Sequence, residues 1–377
     1  LNYTFIESDT ELRQVCEELL KEKIIGVDLE ADSMHCFKEK ICLIQIAAGK
    51  QAFLIDPFKI NAAPFFIRVL EHSDVMTVFH GADFDIRTLD REYQARVKNL
   101  FDTEIACRFL GVRERGLGAL LKKHFNVDAN KKFQKEDWSR RPLSPEMIEY
   151  SVGDVTHLIE LQDILSRQLM EKGRLAWAQE EFEIQSQVRY EGNHTLPLFL
   201  KFKGAGKLEN RTLAVLESLL GMRLCIAEKK DLPLFKVISN ESLMTMAVEK
   251  PVSVERMLQM RALSPKQASM YGSLCVDAVV RALALPHKDL PSYPKMRRPK
   301  RDEKAEARIE RLKKMRERLS LAMDMEPGLL LNNTAIEGIA VKNPGTREEL
   351  LETNPIRRWQ VEAMGEEILS TLKYCRA

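Results

Sequence analysis

Up to about residue 169 the chain alternates short β-branched apolar runs with stretches of helical period. The runs 24–29, 41–47, 52–55 and 75–79 predict strands, each bounded by Gly, Pro or charged residues. Helical spacing predicts helices over 11–21, 64–70, 84–91, 104–110, 117–124 and 145–165. The two closely spaced strands after the first suggest a hairpin, and strands separated by helices suggest parallel pairing. A mixed α/β sheet flanked by helices is expected.

After Glu171 strand signals almost vanish and an internal repeat replaces them. A gapless shift of 93 positions carries Leu219 to Leu312, Arg223 to Arg316, Asn240 to Asn333 and Pro251 to Pro344. The same shift carries Leu258 to Leu351, Gln267 to Gln360 and Gly272 to Gly365. Because Pro, Gly and Gln register along with the apolar positions, the second half reads as two copies of one small all-α domain. Residues 191–206 read as an exposed connector. The prolines at 286, 291, 294 and 299 suit a semi-extended linker over 286–302. That linker leads into Arg297-Arg298-Pro-Lys300-Arg301, which could meet phosphates or be a solvated face.

Composition narrows the class without naming a function. At 377 residues two or three domains are expected, and 45% apolar residues suffice for several cores. With 58 Lys and Arg against 56 Asp and Glu, a nucleic acid would have to be met by local patches, not by net charge. Seven cysteines, odd in number and without a CxxC pair, argue against a disulfide frame or zinc site. The first 23 residues are charged and hold no signal-peptide core, and no apolar run nears the roughly 20 residues of a membrane span. A cytoplasmic protein is expected.

Against this background a set of acidic residues carries the candidate chemistry. Asp28 and Glu30 lie at i and i+2 on a predicted strand, so both leave one face while Ile25, Val27 and Leu29 take the other. Two carboxylates on one side of a buried strand are costly unless cations neutralise them. Asp85 falls in the first turn of the helix after the strand 75–79, near a strand's C-terminal end. Its rival Asp83 reads better as an N-cap or first-turn charge. Tyr150 and Asp154 lie at i and i+4 on one helix face. Carboxylates are hard oxygen donors, suited to Mg²⁺ or Mn²⁺.

The ordered set resembles the DEDDy 3′–5′ exonucleases, the ribonuclease D family in particular. The stretches Val27-Asp-Leu-Glu30, Cys42-Leu-Ile-Gln-Ile46, Val78-Phe-His-Gly-Ala-Asp-Phe-Asp85, Phe101-Asp-Thr103, Asp137-Trp-Ser-Arg-Arg-Pro-Leu143 and Tyr150-Ser-Val-Gly-Asp154 carry the resemblance. The helical repeat is similar to the HRDC domain. The resemblance implies an α/β RNase H-like exonuclease core over 1–190 and HRDC-type domains over 207–285 and 303–377. It implies two divalent cations, Mg²⁺ or Mn²⁺, with Asp28 bridging both, Glu30 and Asp154 completing the first, and Asp85 holding the second. Tyr150, whose free pKa is about 10, is expected to orient the attacking water. The implied activity is release of nucleoside 5′-monophosphates from the single-stranded 3′ end of RNA, tRNA precursors among them. A DNA exonuclease of proofreading type and a non-catalytic nucleic-acid scaffold are the alternatives.

Several further residues have candidate roles. His80, Trp138 and Arg141 could contact substrate, the indole by stacking on a base. His157 could support the site from one turn beyond Asp154. Gln45 is expected to bond locally within its apolar strand, and Asp102 to cap the helix that begins at 103 or 104. The run Lys203-Gly-Ala-Gly-Lys207 lacks the spacing of a phosphate-binding loop, which excludes a helicase on this evidence.

Overall fold

A computed structural model of the chain describes residues 2–32, 34–128, 132–192, 197–294, 302–353 and 355–373. It divides into two compact units, one of residues 1–31, 41–190 and 298–377, the other of residues 32–40 and 191–297.

The first unit is built on six strands: β1 (Asn2–Ile6), β2 (Ile24–Asp32), β3 (Lys40–Ala48), β4 (Gln51–Ile55), β5 (Met76–Phe79) and β6 (Leu100–Asp102). Their order is β1-β4-β3-β2-β5-β6. β3 and β4 form the expected antiparallel hairpin, with Ala48 opposite Gln51 across a two-residue turn in which Gly49 takes a φ of 55°. β2 pairs with β5, β5 with β6, and β1 with β4, all in parallel. The strands β1 and β6 have no counterpart among the expected ones. β6, three residues long, is too short for a period to show, and parallel pairing with β4 and β5 draws β1 and β6 into the sheet.

Helices α1 (Asp9–Leu19), α2 (Ala63–Leu70), α3 (Asp83–Tyr93), α4 (Thr103–Leu110), α5 (Leu117–Phe125), α6 (Pro145–Thr156), α7 (Leu158–Glu171) and α8 (Leu175–Ser186) accompany the sheet. The helix expected over 145–165 is thus two helices. His157 breaks it, with φ −108° and ψ 5°, its ring stacked on Phe125 at 4.5 Å and its Nδ1 3.3 Å from Glu160. His157 therefore serves the junction and the Phe125 contact. Gln45, expected to bond locally, is fully buried with no hydrogen-bond partner for its amide among the described residues.

The second unit holds the first helical repeat: α9 (Asn210–Lys230), α10 (Leu234–Val237), α11 (Asn240–Glu249), α12 (Val254–Gln259) and α13 (Pro265–Leu283). The second repeat, α14 (Glu303–Met323), α15 (Pro327–Leu330), α16 (Asn333–Lys342), α17 (Arg347–Leu351) and α18 (Arg358–Lys373), belongs to the first unit. The sequence shift superposes α9–α11 on α14–α16 end to end. It also pairs the left-handed corners Asp231 (φ 47°) with Asp324 (φ 49°) and Lys250 (φ 53°) with Asn343 (φ 49°). In each copy an arginine on the long helix ties down the next corner. Arg223 donates to Asn240 Oδ1 at 2.8 Å and to the Ile238 carbonyl at 3.0 Å. Arg316 donates to Asn333 Oδ1 at 3.1 Å and to the Leu331 carbonyl at 2.9 Å.

The segment expected as an exposed connector is partly folded into the second unit. Phe199 and Ala205 are buried in its core, and Glu217 accepts from the Leu198 and Phe199 backbone nitrogens at 2.9 Å each. Apolar residues at 198–200 drive this, since exposing them would forgo their burial. The run Arg297-Arg298-Pro-Lys300-Arg301 lies outside the described residues.

In the first unit the second repeat packs on α8. Trp359 stacks on Trp177 at 5.6 Å, meets Phe109 edge-on at 5.0 Å, and donates its indole N–H to Glu181 at 2.9 Å. Arg174 donates to the carbonyls of Phe109 and Met323 at 2.6 and 2.7 Å, bridging the two domains.

Candidate active site

Strand alternation sends Asp28 and Glu30 to one face of β2, while Ile25, Val27 and Leu29 are buried on the other. Gly26 shares the carboxylate face, where a β-carbon would stand 3.0 Å from Cβ of Leu158. That close approach seats α7 against β2, and with it α6, which carries Tyr150 and Asp154. Ser144 caps α6 by accepting from the Met147 nitrogen, and Pro145 occupies its first turn. Carboxylate oxygens of Asp28, Glu30 and Asp154 fall within 4.8 Å of one another.

Asp85 sits in the first turn of α3 and is buried. The turn before it is held by Asp102, which accepts from the nitrogens of Gly81 (2.9 Å) and Ala82 (2.8 Å) and also caps α4 through Glu104 and Ile105. Asp102 is thus the cap that the sequence predicts, with a second task in positioning Asp85. Asp83 turns away to pair with Arg87 at 2.9 Å.

The electrostatics are those of a crowded acidic site. Burial, then the neighbouring charges of Asp85 and Asp154, raise the Asp28 carboxyl well above its ordinary range. Burial, followed by repulsion from Asp28, Asp154 and Asp85, pushes Glu30 up to about 10. Burial raises Asp85 to about 7 and Asp154 to about 6, the latter partly offset by a hydrogen bond from the Tyr150 hydroxyl. Tyr150 is itself raised by burial and by the Asp154 and Glu30 charges, so its phenol stays protonated.

Asp28, Glu30 and Asp154 open onto a cavity of about 750 Å³ that His80 and Tyr150 also line, with Asp85 not among its lining residues. Glu114 and Gln134 also line it. Both lie outside the α-helices and strands, where no periodicity marks them, and only the fold brings them here. Of the expected substrate contacts, His80 reaches the cavity and the other two do not. Trp138 is 1% exposed; its N–H is taken by the Phe133 carbonyl at 3.1 Å, and its ring lies 6.0 Å from that of Tyr150. It packs behind Tyr150 and offers no face to a base. Arg141 forms a bidentate pair with fully buried Asp56 at 2.6 and 2.9 Å and donates to the Cys42 carbonyl. It lines a separate cavity with Tyr3 and Phe5, so its donors are committed to holding the fold.

The donor set fits a divalent cation. Three carboxylates converge within reach of one ion, and the raised carboxyl groups are what an acidic cluster shows when no cation compensates it. The nitrogen or sulfur ligands that would favour zinc or copper are missing from this group.

Comparison with known proteins gives this geometry its family. Residues 3–170 match the model of a 3′–5′ exonuclease, and residues 212–279 and 305–372 each match the HRDC domain. A ribonuclease D of Sphingobium indicum is 30% identical over 266 residues, covering 70% of this chain and 68% of its own. The chain belongs to the ribonuclease D family. A ribonuclease D of Nitrobacter hamburgensis is 27% identical over 370 residues, with 97% of this chain and 94% of its own covered. The crystal structure of Escherichia coli RNase D, an exoribonuclease involved in structured RNA processing, shares the fold. Its TM-score is 0.77 over 99% of both chains, at 23% identity. The catalytic core of RRP6 from Trypanosoma brucei aligns at a TM-score of 0.67 and 28% identity, covering 75% of this chain and 80% of its own. As a member of this family the protein is a 3′–5′ exoribonuclease that depends on divalent metal. Among the described residues no helix is long and apolar enough to cross a membrane.

Proposed function

We propose that the protein trims single-stranded 3′ extensions of small structured RNAs, tRNA precursors among them, one nucleoside 5′-monophosphate at a time. In this reading residues 1–190 are the catalytic domain, and 207–285 and 303–377 are HRDC-type domains joined by a linker over 286–302. The reading rests above all on the convergence of Asp28, Glu30 and Asp154 on one cavity, with Asp85 buried close enough to raise the Asp28 carboxyl by its charge. Asp28, Glu30, Asp85 and Asp154 would hold two cations, Mg²⁺ or Mn²⁺. When bound, these would supply charge stabilisation for the attacking and leaving oxygens of an in-line displacement.

The chain's own residues do the rest. The Tyr150 hydroxyl, protonated and hydrogen-bonded to Asp154, is poised to orient a water; it cannot remove that water's proton, because its own proton is held more tightly than in free tyrosine. Trp138 and Phe133 flank the Tyr150 ring and limit its motion. Asp102 fixes the turn from which Asp85 projects. A cytoplasmic location is supported by the cysteines: the six described are all free thiols.

The test is mononucleotide release from matched 3′-tailed RNA and DNA stem-loops in Mg²⁺, Mn²⁺ or EDTA. Release from the RNA tail that stops near the stem and vanishes in EDTA is expected. Undiminished release by the Asp28→Asn protein would remove the site assignment, and faster attack on the DNA tail would remove the RNA reading.

A further inference from the structure

One lining residue of the acidic cavity has a chemical capacity that the reaction above does not use. His80 follows β5, and its Nδ1 lies 2.9 Å from Oγ1 of Thr103. That hydroxyl lies 3.1 Å from the carbonyl oxygen of Phe79. A carbonyl can only accept, so the single proton of Thr103 goes to Phe79, and its oxygen faces His80 as an acceptor. Nδ1 must then carry the imidazole proton. Nε2 is left as an unprotonated acceptor, with no hydrogen-bond partner among the described residues. Thr103 is itself fully buried at the start of α4, directly after the cap Asp102. The tautomer is therefore set by groups that cannot rotate into solvent.

An unpartnered acceptor with a fixed tautomer selects for a particular partner. Phosphate oxygens are acceptors and gain nothing from Nε2. Asp28, Glu30 and Asp154 accept as well but would be engaged by bound cations, and Glu114 and Gln134 lie outside the sheet and α-helices, whereas His80 is held by a buried threonine. A sugar hydroxyl donates, and on a nucleic-acid strand the donor that separates RNA from DNA is the 2′-hydroxyl. We propose that Nε2 of His80 accepts a hydrogen bond from a ribose 2′-hydroxyl of the 3′ strand in the acidic cavity and so sets the preference for RNA. Thr103 is the positioning residue that holds the accepting tautomer. The inference rests on the reading of this cavity as the exonuclease site.

The experiment compares kcat/KM for mononucleotide release from one sequence ending in ribo, deoxy or 2′-fluoro nucleotides. The fluorine approximates the hydroxyl in size but has no proton to donate. Wild-type protein is expected to favour the ribo strand and to treat the 2′-fluoro strand like the deoxy one. His80→Ala should lose about tenfold more on the ribo strand than on the deoxy strand, the worth of one hydrogen bond. Thr103→Val, which leaves Nδ1 without its acceptor, should move the ratio the same way, and Thr103→Ser should restore it. Equal loss on all three strands would assign His80 to cation or water binding and overturn the proposal. An unchanged ribo rate would overturn it too. If His80→Ala does not fold, the Thr103→Val and Thr103→Ser pair decides. Continued release by Asp28→Asn would instead overturn the reading of the cavity, whatever the His80 variants do.

Discussion

Gly111 and Asp324 touch where the nuclease domain meets the second helical repeat: a β-carbon on Gly111 would lie 2.3 Å from the carbonyl oxygen of Asp324. Gly111 also takes a φ of 79° as it closes α4, and Asp324 is the left-handed corner that follows α14. Only glycine satisfies both the backbone angle and the approach. Gly111→Ala should therefore cost more than the ~1–2 kcal/mol of a left-handed alanine. Gly49→Ala, at φ 55° with open space around it, should cost about that amount alone. Urea unfolding of the two variants checks this, and equal losses would mean that the seam gives way without cost.

The repeated arginine corner predicts matched instabilities. Asn240→Ala and Asn333→Ala each remove one acceptor from a largely buried guanidinium, for a loss of about 1–3 kcal/mol. Thermal unfolding should show losses of similar size in the two variants. A loss confined to one copy would show that the shared geometry is not a shared energy.

Tyr150→Phe removes the hydroxyl bonded to Asp154 and keeps the ring against Trp138 and Phe133. The expected outcome is a fall of about 10²-fold in kcat from lost orientation, with the metal concentration for half-maximal activity little changed. Trp138→Phe should act in the same direction more weakly, since it loosens Tyr150 and touches no substrate. If Trp138→Phe raised KM and left kcat unchanged, the indole would be a base-stacking residue after all.

The acid cluster predicts an unusual pH dependence for the metal-free protein. Unfolded carboxyl groups lose their protons near pH 4, whereas Asp154, Asp85 and Glu30 hold theirs up to about 6, 7 and 10 in the folded chain. Between those limits the folded state binds more protons, so stability conferred by these groups falls as pH rises. In EDTA, the wild type should lose stability relative to Asp85→Asn as pH rises from about 4 to about 7. Saturating Mg²⁺ should cancel the difference and release protons on binding. A wild type that gains stability with pH in EDTA, relative to the variant, would show that these carboxyls are not raised.

Sequence alone determined what is periodic or local. The carboxylate face of β2 follows from alternation, the Tyr150–Asp154 face from helical spacing, and the cap at Asp102 from residue type. The two-copy helical architecture follows from a shift that recurs in Pro, Gly and Gln. These features depend on neighbours within a few residues, or on a pattern repeated intact. Tertiary structure decided the rest. Whether three-residue β6 is a strand depends on its partner β5, and whether Trp138 meets a base depends on what lies behind Tyr150. Arg141 bonds to Asp56 and His80 to Thr103, partners 85 and 23 positions away. Glu114 and Gln134 reach the cavity only because their loops are carried there. A side chain's type sets which bonds it can make, but burial and packing against distant segments decide which of them it makes.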